Sequence, residues 1–146
     1  MRQPTKKGSI VSEGYSGTPL VKKLGIKPGF RVYFHHPPEN YAETLGPLPE
    51  ETEVRSALEA GMDMIQCFCK SRQEFAQLLP ELQKMIYPAG MLWVSWPKKA
   101  SKVPTDLDEN VIREIILSAG LVDVKVCAVD AIWSGLKCVY RLKDRK

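Results

Sequence analysis

The apolar positions of this chain follow two periods in alternation, and the alternation predicts an α/β protein. Met91-Leu92-Trp93-Val94-Ser95-Trp96 enters from Gly90 and stops at Pro97. A short run so rich in aromatic and aliphatic side chains needs no polar face, which describes a strand buried on both sides. It is the central strand of the prediction. Phe30 to His35, between the turn Lys27-Pro28-Gly29 and Pro37-Pro38, makes a first strand, and Met62 to Cys69 a second. Val122, Val124 and Val126 alternate with Asp123, Lys125 and Cys127, the period of a half-buried fourth strand, and Lys137 to Leu142 closes as a fifth.

Helical spacing fills the gaps between strands. Thr18 offers a capping hydroxyl ahead of Pro19 and predicts a short helix to Leu24, stopped by Gly25. Pro49-Glu50-Glu51 opens another, with Val54 and Leu58 apolar and Gly61 at its end. Ser71-Arg72-Gln73-Glu74 is a capping box before Phe75, Leu78, Leu79, Leu82, Met85 and Ile86. Pro80 inside that helix is expected to kink or split it, at a cost of ~3 kcal/mol in a regular interior. Thr105-Asp106 opens the last helix, which carries Leu107, Val111, Ile112, Ile115, Ile116 and Ala119 and ends at Gly120.

Strands alternating with helices imply parallel crossovers, right-handed in about 98% of cases. The short Asp130–Gly135 connection suits an antiparallel return. The expected sheet therefore has five mostly parallel strands in the order 1-2-3-5-4, the last antiparallel, with the first strand at an edge. Crossovers running in one direction place all three crossover helices on one face. Residues 9–29 or a second copy of the chain, a homodimer, must then cover the other.

Composition changes this picture little. At 146 residues one domain is expected, burying roughly 68–70% of its unfolded surface. The divisions are a disordered lead at 1–8, an α/β domain at 9–142 and a basic tail at 143–146. The net charge of +4 belongs to the extremes, +3 from Arg2, Lys6 and Lys7 and +3 from residues 141–146, and leaves residues 9–140 at −2. A nucleic-acid partner wants a basic face on the folded body, so this balance argues against one. No apolar run approaches the ~18 residues of a membrane span and no signal-peptide core follows Met1, so the expected location is the cytoplasm. Cys67, Cys69, Cys127 and Cys138 sit among apolar neighbours, as reduced buried thiols do.

Two resemblances emerge from longer words. Leu24-Gly25-Ile26-Lys27-Pro28-Gly29-Phe30-Arg31-Val32 resembles the approach to the first strand of class I S-adenosylmethionine-dependent methyltransferases. Leu82 through Trp93, with Tyr87-Pro88-Ala89-Gly90, is similar to that family's helix, proline-glycine turn and fifth strand, and the closing hairpin to its last two strands. The likeness spans most of residues 24–142 and implies a single-domain Rossmann-like, methyltransferase-like fold. Gly14-Tyr15-Ser16-Gly17-Thr18-Pro19-Leu20, Leu92-Trp93-Val94-Ser95-Trp96-Pro97-Lys98-Lys99 and the stretch from Asp123 to Asp130 with Trp133-Ser134-Gly135-Leu136-Lys137 resemble a family of short, uncharacterised bacterial proteins. That second likeness implies no activity.

The methyltransferase pattern breaks where the cofactor would sit. The family places a glycine-rich turn after its first strand and an acidic residue at the end of the next. Here the turn reads His35-His36-Pro37-Pro38-Glu39-Asn40, without glycine and with prolines that offer no amide donor. Residues 36–61 are also too few for the family's second and third strands. No cofactor is expected, and the crevice where crossovers reverse is expected to be lost.

The carboxyl ends of the parallel strands should gather His35, His36, Lys70, Ser71, Trp96, Lys98, Lys99, Thr105, Asp130 and Trp133. Helix amino termini at Ser71 and Thr105 favour anions, so an anion pocket for a phosphorylated or carboxylated small ligand is the sharpest chemical reading. The competing reading makes the lysines a solvated rim, the tryptophans core and Asp130 a turn cap. Adjacent histidines on a strand point to opposite faces and no CxxC spacing exists, which argues against metal. Only Cys69 is placed to partner a histidine as a nucleophile, and thiols in apolar company are inert. The expected function is a non-catalytic, methyltransferase-like module that binds a small anionic ligand or a protein partner. The other class is an enzyme, either a divergent methyltransferase or one acting on an anionic substrate at the strand ends.

Overall fold

The computed structural model describes residues 18–145; the expected lead at 1–8 and the Gly14–Gly17 turn lie outside them. In chain order the main elements are α1 (Leu20–Leu24), β1 (Arg31–His35), α2 (Tyr41–Leu45), β2 (Glu53–Arg55), β3 (Met62–Phe68), α3 (Arg72–Gln83), β4 (Ile86–Pro97), α4 (Glu109–Ser118), β5 (Leu121–Ala128) and β6 (Trp133–Tyr140). They form an α/β, Rossmann-like sheet of six strands in the order β2-β1-β3-β4-β6-β5. The first four run parallel, while β6 is antiparallel to both of its neighbours. The five expected strands keep their expected order.

The sixth strand corrects the expectation at the edge. Residues 49–60 were expected to be helical, yet Thr52 N–H and Oγ1 both bond the Pro49 carbonyl, and Glu51 takes a φ of 60°. That closed turn ends any helix before it starts. Glu53 to Arg55 then pairs with Arg31 to Tyr33, and Arg31 with Arg55 clamps Glu53 and Glu59 in ion pairs. Tertiary pairing outweighs the few tenths of a kcal/mol per residue of helix propensity. The chain thus steps outward from β1 to β2 and crosses back to β3. A switch point lies between β1 and β3, contrary to the expectation that this crevice was lost.

Each face of the sheet has its own core. Ile65, Cys67, Leu92, Val94 and Trp96 meet Phe75, Leu79 and Leu82 of α3 and Ile112 and Ile116 of α4 on one side. On the other, Leu20, Leu24 and Ile26 join Tyr41 and Leu45 of α2 over Val32, Met64, Phe68 and Trp93. Among the described residues this second face is packed by residues 20–26, part of one of the two covers expected, and by α2, an element absent from the expectation. The Trp93 indole donates to the Leu24 carbonyl at 2.9 Å and ties α1 to the middle of the sheet.

Three local expectations also shift. Pro19 rather than Thr18 occupies the cap position of α1, with no side-chain cap bond. α3 runs unbroken through Pro80; Ala76, whose carbonyl loses its helical donor there, is exposed and open to water. The turn expected at Pro88-Ala89-Gly90 is instead an irregular stretch inside β4, where the pairing slips between Met62 and Met64. A Cβ on Gly90 would lie 2.9 Å from the Asp63 carbonyl, so only glycine fits this close approach.

Candidate functional site

At the end of β1 the backbone turns left-handed at His36, with φ of 54°, and brings two rings together that a continuing strand would have kept apart. His35 and His36 stack with centroids 4.0 Å apart. The Tyr33 hydroxyl lies 3.0 Å from His35 Nδ1, and His36 Nδ1 lies 3.8 Å from a Glu74 carboxylate oxygen. Burial first, and the neighbouring His36 second, hold the His35 pKa below its ordinary value, against an opposing pull from Glu74. Among the described residues no group of three or more His, Cys, Asp or Glu could hold a metal ion.

Around the expected anion pocket the chain's own side chains take up several of the backbone donors. Ser71 caps α3 by accepting from Glu74 N–H, and the Asp106 carboxylate reaches the same helix end to accept from Arg72 N–H at 2.7 Å. Thr105 does not start a helix. Its hydroxyl donates to the Lys70 carbonyl and accepts from Leu107 N–H, while Asp108 caps α4 by accepting from Val111 N–H. An aspartate three residues on outcompeted the threonine for the cap position. Lys70 and Lys99 are exposed and Lys98 half-buried. Trp96 belongs to the core on the α3–α4 side and Trp133 to the opposite one. Asp130 accepts from the backbone N–H groups of Ile132 and Trp133, each at 2.8 Å, as a turn cap does. Of the ten residues named from the sequence, His35 stacks on His36 and Thr105 bonds the Lys70 carbonyl, while Trp96 and Trp133 lie in opposite cores.

The switch point itself holds side chains that the sequence reading did not name. Tyr41 of α2 lies across the carboxyl ends of β1 and β3, edge-on to Phe34 at 5.6 Å and to Phe68 at 4.9 Å. Its hydroxyl donates to Gln66 Oε1 at 2.5 Å, and Gln66 Nε2 donates to Ser95 Oγ at 3.0 Å. Trp133 closes against Phe68 at 5.2 Å. Burial pushes the Tyr41 phenol well above its ordinary pKa, so it serves as a fixed donor. Gln66 and Ser95 are the buried polar side chains of this core, and a glutamine inside an otherwise apolar strand was the signal available in the sequence. On the first face the thiols of Cys67 and Cys138 are pushed upward, Cys67 chiefly by its bond with Cys69 and Cys138 by burial, so neither is a ready nucleophile.

Beside α2 lies a groove of about 590 Å3 whose lining includes Tyr41 itself, Phe34, Leu45, Leu48 and Val54, together with Glu39 and Glu43. Among the described residues no helix is long and apolar enough to cross a membrane.

No family model matches the chain, and no curated protein matches it. The words that resembled a family of short bacterial proteins therefore find no counterpart there. Solved structures do match. A SAM-dependent methyltransferase from Aquifex aeolicus is 16% identical, with a TM-score of 0.55 over 82% of this chain and 86% of that one. Magnesium protoporphyrin IX methyltransferase from Synechocystis, solved with bound SAM, is 13% identical, with a TM-score of 0.57 over 84% and 74%. Fibrillarin from Aeropyrum pernix, in complex with S-adenosyl-L-methionine, is 13% identical, with a TM-score of 0.53 over 82% and 73%. This chain shares their methyltransferase-like α/β fold.

Proposed function

We propose that the protein is a non-catalytic, methyltransferase-like module that works by binding a protein partner. The observation that carries this reading is Tyr41. It fills the place at the switch point where open α/β sheets receive ligands, and a buried hydrogen bond to Gln66 fastens it there. The segment leading to it, His36-Pro37-Pro38, offers no glycine for close backbone approach and loses two amide donors to proline. A partner fits better than a small anionic ligand, because Ser71, Asp106 and Asp108 already occupy the helix-end donors an anion would use. Isothermal titration with S-adenosylmethionine tests the reading. No saturable heat is expected, and micromolar binding would overturn it in favour of a divergent methyltransferase.

A further inference from the structure

The stretch 37–53 holds five glutamates and no lysine or arginine, and the described structure treats these acids in two ways. Glu53, with Glu59 beyond it, is neutralised by Arg31 and Arg55. Glu39 and Glu43 line the groove beside α2, and among the described residues no cation lies within ion-pair distance of either. No lysine or arginine lines that groove. Most of its lining is apolar and includes Val54, which is 52% exposed on β2, an edge strand of the sheet. An apolar lining with uncompensated carboxylates, beside an edge strand, complements an apolar segment that carries positive charge.

We infer that this groove docks a basic peptide segment of a protein partner, placing apolar side chains between Phe34, Leu45 and Val54 and lysine or arginine over Glu39 and Glu43. The inference rests on the partner-binding reading above and gives it a surface and a chemistry. A volume of about 590 Å3 lies in the ~300–1,000 Å3 range of pockets that bury a drug-sized molecule, which leaves room for the side chains of a docked segment. Open backbone groups on the outer side of β2 can extend the contact along an extended peptide.

Selection from a random peptide library displayed on phage, with the full-length protein as bait, tests the inference. Enriched peptides should carry at least two lysines or arginines beside an apolar residue. A synthetic enriched peptide should lose at least about tenfold in affinity against the Glu39→Lys, Glu43→Lys double variant and against Val54→Asp, and should weaken as salt rises. Thermal melts matching wild type confirm that these surface variants fold, and Glu39→Gln with Glu43→Gln gives a milder neutral step. Failure to enrich peptides, enrichment without positive charge, or equal affinity for the reversed variant would each overturn the inference. So would a dimer that dissociates on charge reversal, since the groove would then serve a second copy. Titration with S-adenosylmethionine is independent of all these readouts, so failure of the groove and failure of the non-catalytic reading are told apart.

Discussion

Tyr41 and Gln66 answer for each other inside a layer that water does not reach. Removing the hydroxyl by Tyr41→Phe leaves Gln66 Oε1 buried without its donor, and the expected loss is about 1–3 kcal/mol. Urea denaturation reads it as a lower midpoint at unchanged slope; a change under about 0.5 kcal/mol would show that the bond contributes little. His35 supplies a pH signature. Its folded pKa is depressed, so the unfolded chain binds the proton more readily, and the associated stability is fully present above about pH 6.5. That stability is lost as pH falls through the folded value, and His35→Gln should flatten this step in a series of Tm against pH. At this scale the sequence was legible where one residue had no rival. Ser71 caps α3 as the capping box foretold, whereas Thr105 lost its helix to Asp108, and two candidate caps three residues apart cannot be ranked from spacing alone. Tyr41 was missed because its importance lies in what it covers, a contact with β3 that no local pattern records.

Elements show the same division between local and distant causes. α4 and β3 follow from their own periodicities, and α3 from a stripe strong enough to carry Pro80 through on its exposed side. β2 does not, since three residues with a helix-favouring start become a strand only when β1 presents a ladder to them. α3 also depends on a distant residue, for Asp106 accepts from Arg72 N–H across 34 positions. Asp106→Ala should cost on the order of 1 kcal/mol, the usual worth of a helix cap, and an unchanged denaturation midpoint would show that Ser71 suffices. At the opposite edge, β5 exposes Val124 and Val126 but carries Lys125 and a register irregularity between Asp123 and Lys125. Charges and bulges keep edge strands from pairing with other chains. Lys125→Val is therefore expected to increase self-association relative to wild type, seen as a higher weight-average mass in light scattering at matched concentration.

For the whole molecule, the parallel core with its antiparallel return was visible in the order of strand and helix patterns, and the direction of the first crossover was not. That direction turned on whether residues 53–55 joined the sheet, and it moved β1 from the rim to the interior. It also decided where the helices go: α1 and α2 line one side, α3 and α4 the other. The bond between Trp93 and Leu24 spans 69 positions, which bears on synthesis. A five-residue helix has no stability of its own in water. Leu20 and Leu24 therefore leave the ribosome with only part of their final core to pack on, Val32, Tyr41 and Leu45 coming first, and the indole that fastens their helix to the sheet follows 69 positions after Leu24.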